Sequence, residues 1–443
     1  MNASIFACKS ADYVSILRAD CYFRIQCWHH ADCWKGHTMP ILSGYDSFAG
    51  RHWETGSIAN ALSYQGVKTP HTGQPISEAL LLGISGGITV GYFLFHYEGY
   101  DPTLNLLTRN TFDPMATIFD RLAIAQDVRQ TNNAAKADEN LLAILESGQP
   151  ALVWTDSFSL PYNHYPYDER NWGMAPVVVY GFEDDVIYIA DRSSKPLHVS
   201  HADFLAARAR VKQDKFRVMA LEYPDLDRLP LAVQKGIWQC ISLYTENPPK
   251  GKKDNWGLAA LLKWANMLTN TRNKQSWTRY FPRGAGLYSA LLGTPYQPGA
   301  LGWIQVWGAA GGAERGLYAD FLDEAAVILS KPALKESAEM FRLSCQAWDE
   351  LAMALVPSEA TLLVQARVLL LERYRLFVEY GDSQLDAIQA VDRQLTELRR
   401  AASDEFPLDE KQVTALYQDL AEQVLKIHDI ERDAIHTMQA AMA

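Results

Sequence analysis

Side chains able to move protons or hold a reacting group occur in three short stretches of this chain. His52, Glu54, Thr55 and Ser57 lie where a loop runs into a helix, Asp156, Tyr162 and His164 follow a strand, and Asp191 ends another strand. An imidazole exchanges protons near neutral pH, so His52 and His164 are candidate bases, and Asp191 is a further candidate catalytic residue. Glu54 is a further candidate catalytic residue, and Ser57, Asp156 and Tyr162 are candidate pocket residues. Each has a plainer alternative. Glu54 and Thr55 favour a helix start by charge and capping, Ser57 can face a sheet, and His164 sits in a Pro- and Tyr-rich loop that favours exposure. Asp191 suits a turn after a strand. Arg315, Asp320 and Glu324 sit at helix-compatible spacing and read as a surface or interdomain salt-bridge set.

The elements that must position these groups fall into two textures. From residue 50 to 222 short helices alternate with strands: helices at 54–64, 76–83, 114–125 and 133–147, and strands at 89–98, 150–155, 176–182, 186–190 and 216–223. The helix at 114 starts behind Asp113-Pro114, a capping residue with proline in the first turn. The acidic turn Glu183-Asp184-Asp185 joins two of the strands. This half reads as α+β with an antiparallel sheet. After Pro224 the periodicity is helical, with helices expected at 255–270, 317–330, 332–355, 360–380, 382–403 and 408–442. The boundary falls near 225–250, where Glu246-Asn247-Pro248-Pro249-Lys250-Gly251-Lys252-Lys253 is a turn-rich basic connector. The domains expected are an extension at 1–38, which an upstream start codon would explain, an α+β domain at 39–225 and a helical domain at 226–443.

The stretch Gly50-Arg51-His52-Trp53-Glu54-Thr55-Gly56-Ser57-Ile58-Ala59-Asn60-Ala61-Leu62 resembles the opening motif of the butirosin biosynthesis protein H (BtrH) N-terminal family, which reads Gly-x-His-Cys followed by a helix. The resemblance implies a papain-like cysteine-enzyme fold, with antiparallel sheet and central helix, and acyl transfer from a carrier-protein thioester to an amine. In such folds a helix N-terminus favours the thiolate and a histidine on a facing strand takes the proton. Here Trp53 stands at the Cys position. The segment Trp172 to Phe182 matches the His-bearing strand and puts Ala175 at the His position, while Asp191 falls where the orienting residue belongs. Neither tryptophan nor alanine can serve as nucleophile or base there. Gly66, Ser77-Glu78, Gly83, Gly86-Gly87 and Asp156 to Tyr162 continue the likeness. Residues 311–325 resemble the helical domain that accompanies this family. The implied function is that of a biosynthetic acyltransferase-family protein with a degenerate triad, the alternative being a pseudoenzyme that binds a small molecule or carrier protein. Direct attack of an aligned amine on a thioester needs no covalent enzyme intermediate. Peptide hydrolysis, which needs the nucleophile and base most, is the weakest reading.

Composition bounds the remaining choices. A chain of 443 residues, 48% hydrophobic and 21% charged, can bury large cores, and its net charge of −11 opposes nucleic-acid binding. Between Lys250 and Arg283 eight basic residues meet one acid, a local +7 that suits an acidic partner such as an acyl carrier protein. A small-molecule amine is the expected acceptor. Trp256, Trp264 and Trp277 interleave with these charges and read as core anchors. Residues 79–95 form an uncharged run broken by glycines, which reads as helix, turn and buried strand rather than a membrane span. Asp12, Arg18 and Asp20 interrupt what a signal peptide would keep apolar, so a cytoplasmic location is expected. Cys21, Cys27, His29, His30, Cys33 and His37 lack a paired Cys-x-x-Cys knuckle, and no metal or cofactor is expected. Cys240 and Cys345 read as small core residues.

Overall fold

The computed structural model describes residues 41–96, 101–167, 171–213, 215–307 and 311–443. The Cys- and His-containing segment 21–37 and the extension at 1–38 lie outside the described residues.

Two adjacent glycines decide the fate of the uncharged run at 79–95. Gly86 and Gly87 adopt φ of +108° and +72°, a region that other residues enter at a cost. They separate helix α2 (Glu78–Ile84) from strand β1 (Ile88–Phe95), as the reading of helix, turn and strand required. Before them stands helix α1 (Trp53–Tyr64), whose residues Thr55 to Leu62 are all buried. After β1 come β2 (Thr103–Arg109), α3 (Pro114–Arg121), β3 (Gln126–Arg129), α4 (Ala134–Glu146), β4 (Ala151–Asp156), β5 (Met174–Glu183), β6 (Val186–Ala190), β7 (Leu197–Ser200), α5 (His201–Ala209) and β8 (Val218–Leu221).

Six strands form one sheet in the order β3-β8-β4-β5-β6-β7, every neighbouring pair antiparallel. The β5–β6 hairpin turns on Asp184 and Asp185, at φ of 46° and 68°. Two consecutive left-handed residues make the turn whose twist matches that of the strands it joins. α1 lies on this sheet, its Ser57 hydroxyl donating to the Pro176 carbonyl of β5 at 3.3 Å. This α+β arrangement, a central helix on an antiparallel sheet, is the papain-like fold.

The first strand departs from the simplest expectation. β1 pairs only with β2 in a separate hairpin that faces the helical half. Gly91 bridges to Trp256, and Tyr92 stacks on Trp264 at 6.0 Å. Aromatic burial by the helical half therefore holds a strand that the six-stranded sheet leaves aside.

Every described element beyond β8 is helical: α6 (Leu229–Thr245), α7 (Gly257–Thr269), α8 (Trp277–Tyr280), α9 (Ala285–Leu291), a short π-helix at Gly302–Val306, α10 (Arg315–Ile328), α11 (Leu334–Ala354), α12 (Thr361–Tyr380), α13 (Leu385–Asp404) and α14 (Glu410–Met442). α6 occupies most of the stretch read as a boundary at 225–250. Its sequence hides it, because Gly236 and the β-branched Val233, Ile237 and Ile241 are weak helix formers. Tertiary packing explains the glycine: a Cβ on Gly236 would strike the carbonyl oxygen of Gly83 in α2, so the two helices meet backbone to backbone. Gly83 in turn lies under the ring of Phe321 in α10.

The buried core runs without a break across both halves. Trp264, Trp277 and Trp348 are wholly buried at its centre, and the Trp277 indole N–H donates to the Tyr92 hydroxyl at 3.0 Å. Trp256 is 6% exposed, so all three tryptophans of the basic segment are core anchors. The charges around them stay outside: Lys250, Lys252, Lys253, Arg272, Lys274, Arg279 and Arg283 are exposed. Among the described residues no helix is long and apolar enough to cross a membrane.

Candidate functional site

The N-terminus of α1 is tied down by one carboxylate. Glu78, the first residue of α2, accepts the backbone N–H of Arg51 at 2.7 Å, that of His52 at 3.0 Å and the Thr55 hydroxyl at 2.8 Å. His52 caps the helix: its Nδ1 accepts the Glu54 N–H at 3.3 Å. Burial, together with the charges of Arg109 and Arg192, holds the His52 imidazole well below its ordinary pKa, so the ring is neutral at neutral pH. With Nδ1 accepting, its one hydrogen sits on Nε2, which makes it a donor there. Burial also raises the Glu54 carboxyl to about 7, Arg109 opposing and Asp113 reinforcing the shift.

Trp53 follows as the first helical residue. The Arg192 guanidinium lies over its indole, 4.2 Å from the ring centroid, and Trp307 meets it edge-on at 5.1 Å. Arg192 also faces the Phe377 ring at 4.9 Å. Its Nη2 donates to Asn163 Oδ1 at 2.7 Å and, with Nε, to the Asp191 carboxylate at 3.1 and 3.2 Å. Burial would lower the pKa of Arg192, but the adjacent carboxylate wins and raises it, so it is a fixed cation. Asp191 is buried behind this guanidinium and also accepts the Tyr162 hydroxyl at 3.3 Å. Burial and that carboxylate drive the Tyr162 phenol well above its usual range, so it remains a donor.

Trp53 and Ser57 lie four residues apart, on one face of α1. Ser57 reaches Pro176, the neighbour of Ala175, and Arg192 lies between Trp53 and Asp191. His164, Glu54 and Asp156 are turned elsewhere. His164, at φ 48°, pairs through Nδ1 with Asp392 of α13 at 2.7 Å, and Arg373 holds the same carboxylate at 2.6 Å. Asp156 is bound to Arg210 at 2.9 Å, to the Ser159 hydroxyl at 2.7 Å and to the Gly173 N–H at 2.8 Å, beside a different groove.

The cleft over Trp53 is walled by both halves of the chain. Arg51, His52, Trp53, Asn163, Tyr165 and Arg192 come from the first, and Leu292, Pro298, Trp307, Arg373, Tyr374 and Phe377 are among those from the second. Free space between them is small, about 50 Å³. Among the described residues no aspartate, glutamate, cysteine, serine or lysine lines the cleft. The described thiols are elsewhere: Cys240 is buried, which pushes it up to about 12, and Cys345 is half-buried.

Behind the cleft lie two buried ion pairs, one between the halves and one within the helical half. Arg109, at the end of β2, donates to the Thr55 hydroxyl at 2.9 Å and through Nε to Glu314 at 2.9 Å. The next residue, Arg315, is wholly buried and donates to Glu431 of α14 at 2.7 Å. Its reading as part of a surface or interdomain set with Asp320 and Glu324 is corrected in part. Arg315 is an interior cation, Asp320 meets Arg342 on the surface, and Glu324 crosses to Ser77 and His71 at 2.5 and 3.0 Å. Ala313 and Glu314 take left-handed backbone, at φ 51° and 68°, to turn these two side chains inward.

Of the residues that build the cleft, sequence reasoning missed Arg51, Arg192, Trp307, Arg373 and Phe377. Arg51 and Arg192 stood beside motif residues and carried a signal in their position. The others arrive from helices more than a hundred residues away, with no local cue.

The comparisons agree with this geometry. The model of the butirosin biosynthesis protein H N-terminal family matches residues 52–192, and a domain of unknown function, DUF4872, matches residues 298–369. No curated protein matches the chain. The first match contains His52, Trp53 and Arg192 and the second Trp307, while Arg51, Arg373 and Phe377 of the lining fall outside both. Residues 52–192 thus match the butirosin biosynthesis protein H N-terminal family, and the matched helical region follows that segment in the chain.

Proposed function

We propose that this chain serves biosynthetic acyl transfer, as the matched family implies, by holding a ligand in the cleft rather than by forming an acyl-enzyme. The observation that carries this reading is the lining of the cleft. Where the resemblance leads one to expect a thiol and an imidazole the chain has Trp53 and Ala175, and among the described lining residues none carries a thiol and His52 alone an imidazole. His52 is a poor substitute base, since its Nδ1 is engaged in the helix cap and Nε2 carries the hydrogen. It is suited to donate to a bound carbonyl oxygen.

A second reading keeps catalysis. An amine and a thioester held side by side react without an acyl-enzyme, and the Nε2–H of His52 could stabilise the developing oxyanion. The retained two-part architecture favours this reading. In both, the exposed charges from Lys250 to Arg283 would receive an acidic carrier protein. The full-length protein would be mixed with an acylated carrier protein and a primary amine, and followed by intact mass and product release. The binding reading expects saturable association, no covalent adduct and no amide above the protein-free rate. Amide formation without an adduct would select the second reading. An acyl adduct on the chain would overturn both. Reversing Lys252, Lys253 and Lys274 to glutamate should abolish the association if the basic segment is the docking surface.

A further inference from the structure

We infer that the cleft over Trp53 selects an oxyanion, carboxylate or phosphate, carried on an apolar or aromatic body. This deepens the binding reading above by naming the ligand class. Three arginines line the cleft and no carboxylate does, among the described residues. Two of the three are neutralised from behind: Asp191 pairs with Arg192, and Asp392 pairs with Arg373 at 2.6 Å. Arg51 differs. Its Nη1 donates to the carbonyl oxygens of Phe48 and Gly50, at 2.8 and 2.9 Å, and its side chain meets no carboxylate among the described residues. The lining therefore holds one guanidinium whose own side chain has no carboxylate partner among the described residues, while the Glu78 carboxylate lies against its backbone N–H at 2.7 Å.

Donor groups remain on all three arginines. Nε and Nη2 of Arg51, Nη1 of Arg192 and Nη1 of Arg373 make no hydrogen bond among the described residues, while the other nitrogens of each are fixed by the bonds just named. Such guanidinia are anchored on one edge and open on another, the arrangement that recognises a planar or tetrahedral oxyanion through paired N–H donors. Trp53, Trp307 and Phe377 supply the apolar face on which the remainder of the ligand would lie. The limited free space favours a small anionic head over a bulky one.

Binding of phenylacetate, phenyl phosphate and the neutral phenylacetamide to the full-length protein, measured by calorimetry, tests the inference. The two anions should bind, one more tightly than the other according to the head the arginines fit, and the amide should bind at least about tenfold more weakly than the better anion. Arg51→Gln should weaken anion binding by about tenfold and leave amide binding unchanged, while Arg51→Lys, which keeps the charge, should retain most of it. Circular dichroism of each variant distinguishes a lost ligand contact from a lost fold. Equal affinity for amide and anions, absence of binding by all three probes, or anion binding indifferent to Arg51→Gln in a folded protein would overturn the inference. Those outcomes leave the thioester and adduct experiment untouched, so ligand class and acyl-transfer role fail separately.

Discussion

Removing the charge of Glu431 isolates the group that holds Arg315 against the carbonyls of β1 and β2. Glu431 is wholly buried, and its Oε1 accepts Arg315 Nε at 2.7 Å, the Ser344 hydroxyl at 2.8 Å and the Trp348 indole N–H at 2.8 Å. Oε2 accepts the Tyr244 hydroxyl at 2.9 Å and Arg315 Nη2 at 3.3 Å. Glu431→Gln preserves shape, and its carbonyl can keep the three donors at Oε1, but its NH2 then opposes Arg315 Nη2, which cannot turn acceptor. The Arg315 charge is left with the carbonyls of Thr89, Thr108 and Ala313 and the nearby Glu314. Stranding one member of a buried pair costs about 3–5 kcal/mol, and the proximity of Glu314 puts the expectation near about 3. Equilibrium unfolding in urea at neutral pH would read this as a lowered midpoint. Burial alone would raise the Glu431 carboxyl, but Arg315 and the other donors hold it below its ordinary value. Its contribution is therefore complete above the ordinary carboxylate range and lost as pH falls through that lowered value, so the gap between the proteins should close in acid. A loss under about 1 kcal/mol at neutral pH, or a gap that widens in acid, would refute the reasoning.

Two further outcomes are expected. Trp53→Cys places a thiol at the N-terminus of α1 beneath Arg192, yet without a base it should label slowly with iodoacetamide; adding Ala175→His should raise the near-neutral rate by about tenfold, and equal rates would mean that another group, His52 or Arg192, already activates the thiol. Glu54, raised to about 7 by burial, binds more protons folded than unfolded below that value, so its effect is to lower stability as pH rises from the ordinary carboxylate range through about 7; Glu54→Gln should flatten that decline in melting temperature, and an unchanged pH profile would contradict it.

Much of the fold was legible in the chain because the signals are local. Helix α14 announces itself through Asp409, which accepts the Gln412 N–H at 2.8 Å while the Gln412 side chain bonds back, and through its long apolar period. β5 and β6 carry runs of β-branched residues, and the aspartates at 184 and 185 suit a tight turn. What failed were elements whose support is distant. α6 contains a glycine that weakens any local helix reading, and its reason is a carbonyl in α2 about 150 residues earlier. β2 carries Arg109, whose buried charge is tolerable only because Glu314 comes to meet it.

The same division holds at the site. The residue types at 53 and 175, where the resemblance leads one to expect a thiol and an imidazole, are legible from sequence alone, because side-chain chemistry is visible without coordinates. Which groups replaced them was decided only in three dimensions. Arg192 stands one residue past Asp191, but its contact with Trp53 depends on sheet and helix meeting, and Arg373, Trp307 and Phe377 reach the cleft only when the helical half packs over it. Local propensity acts over a few residues, whereas a binding surface is made by burial and charge pairing between segments that the chain itself keeps far apart.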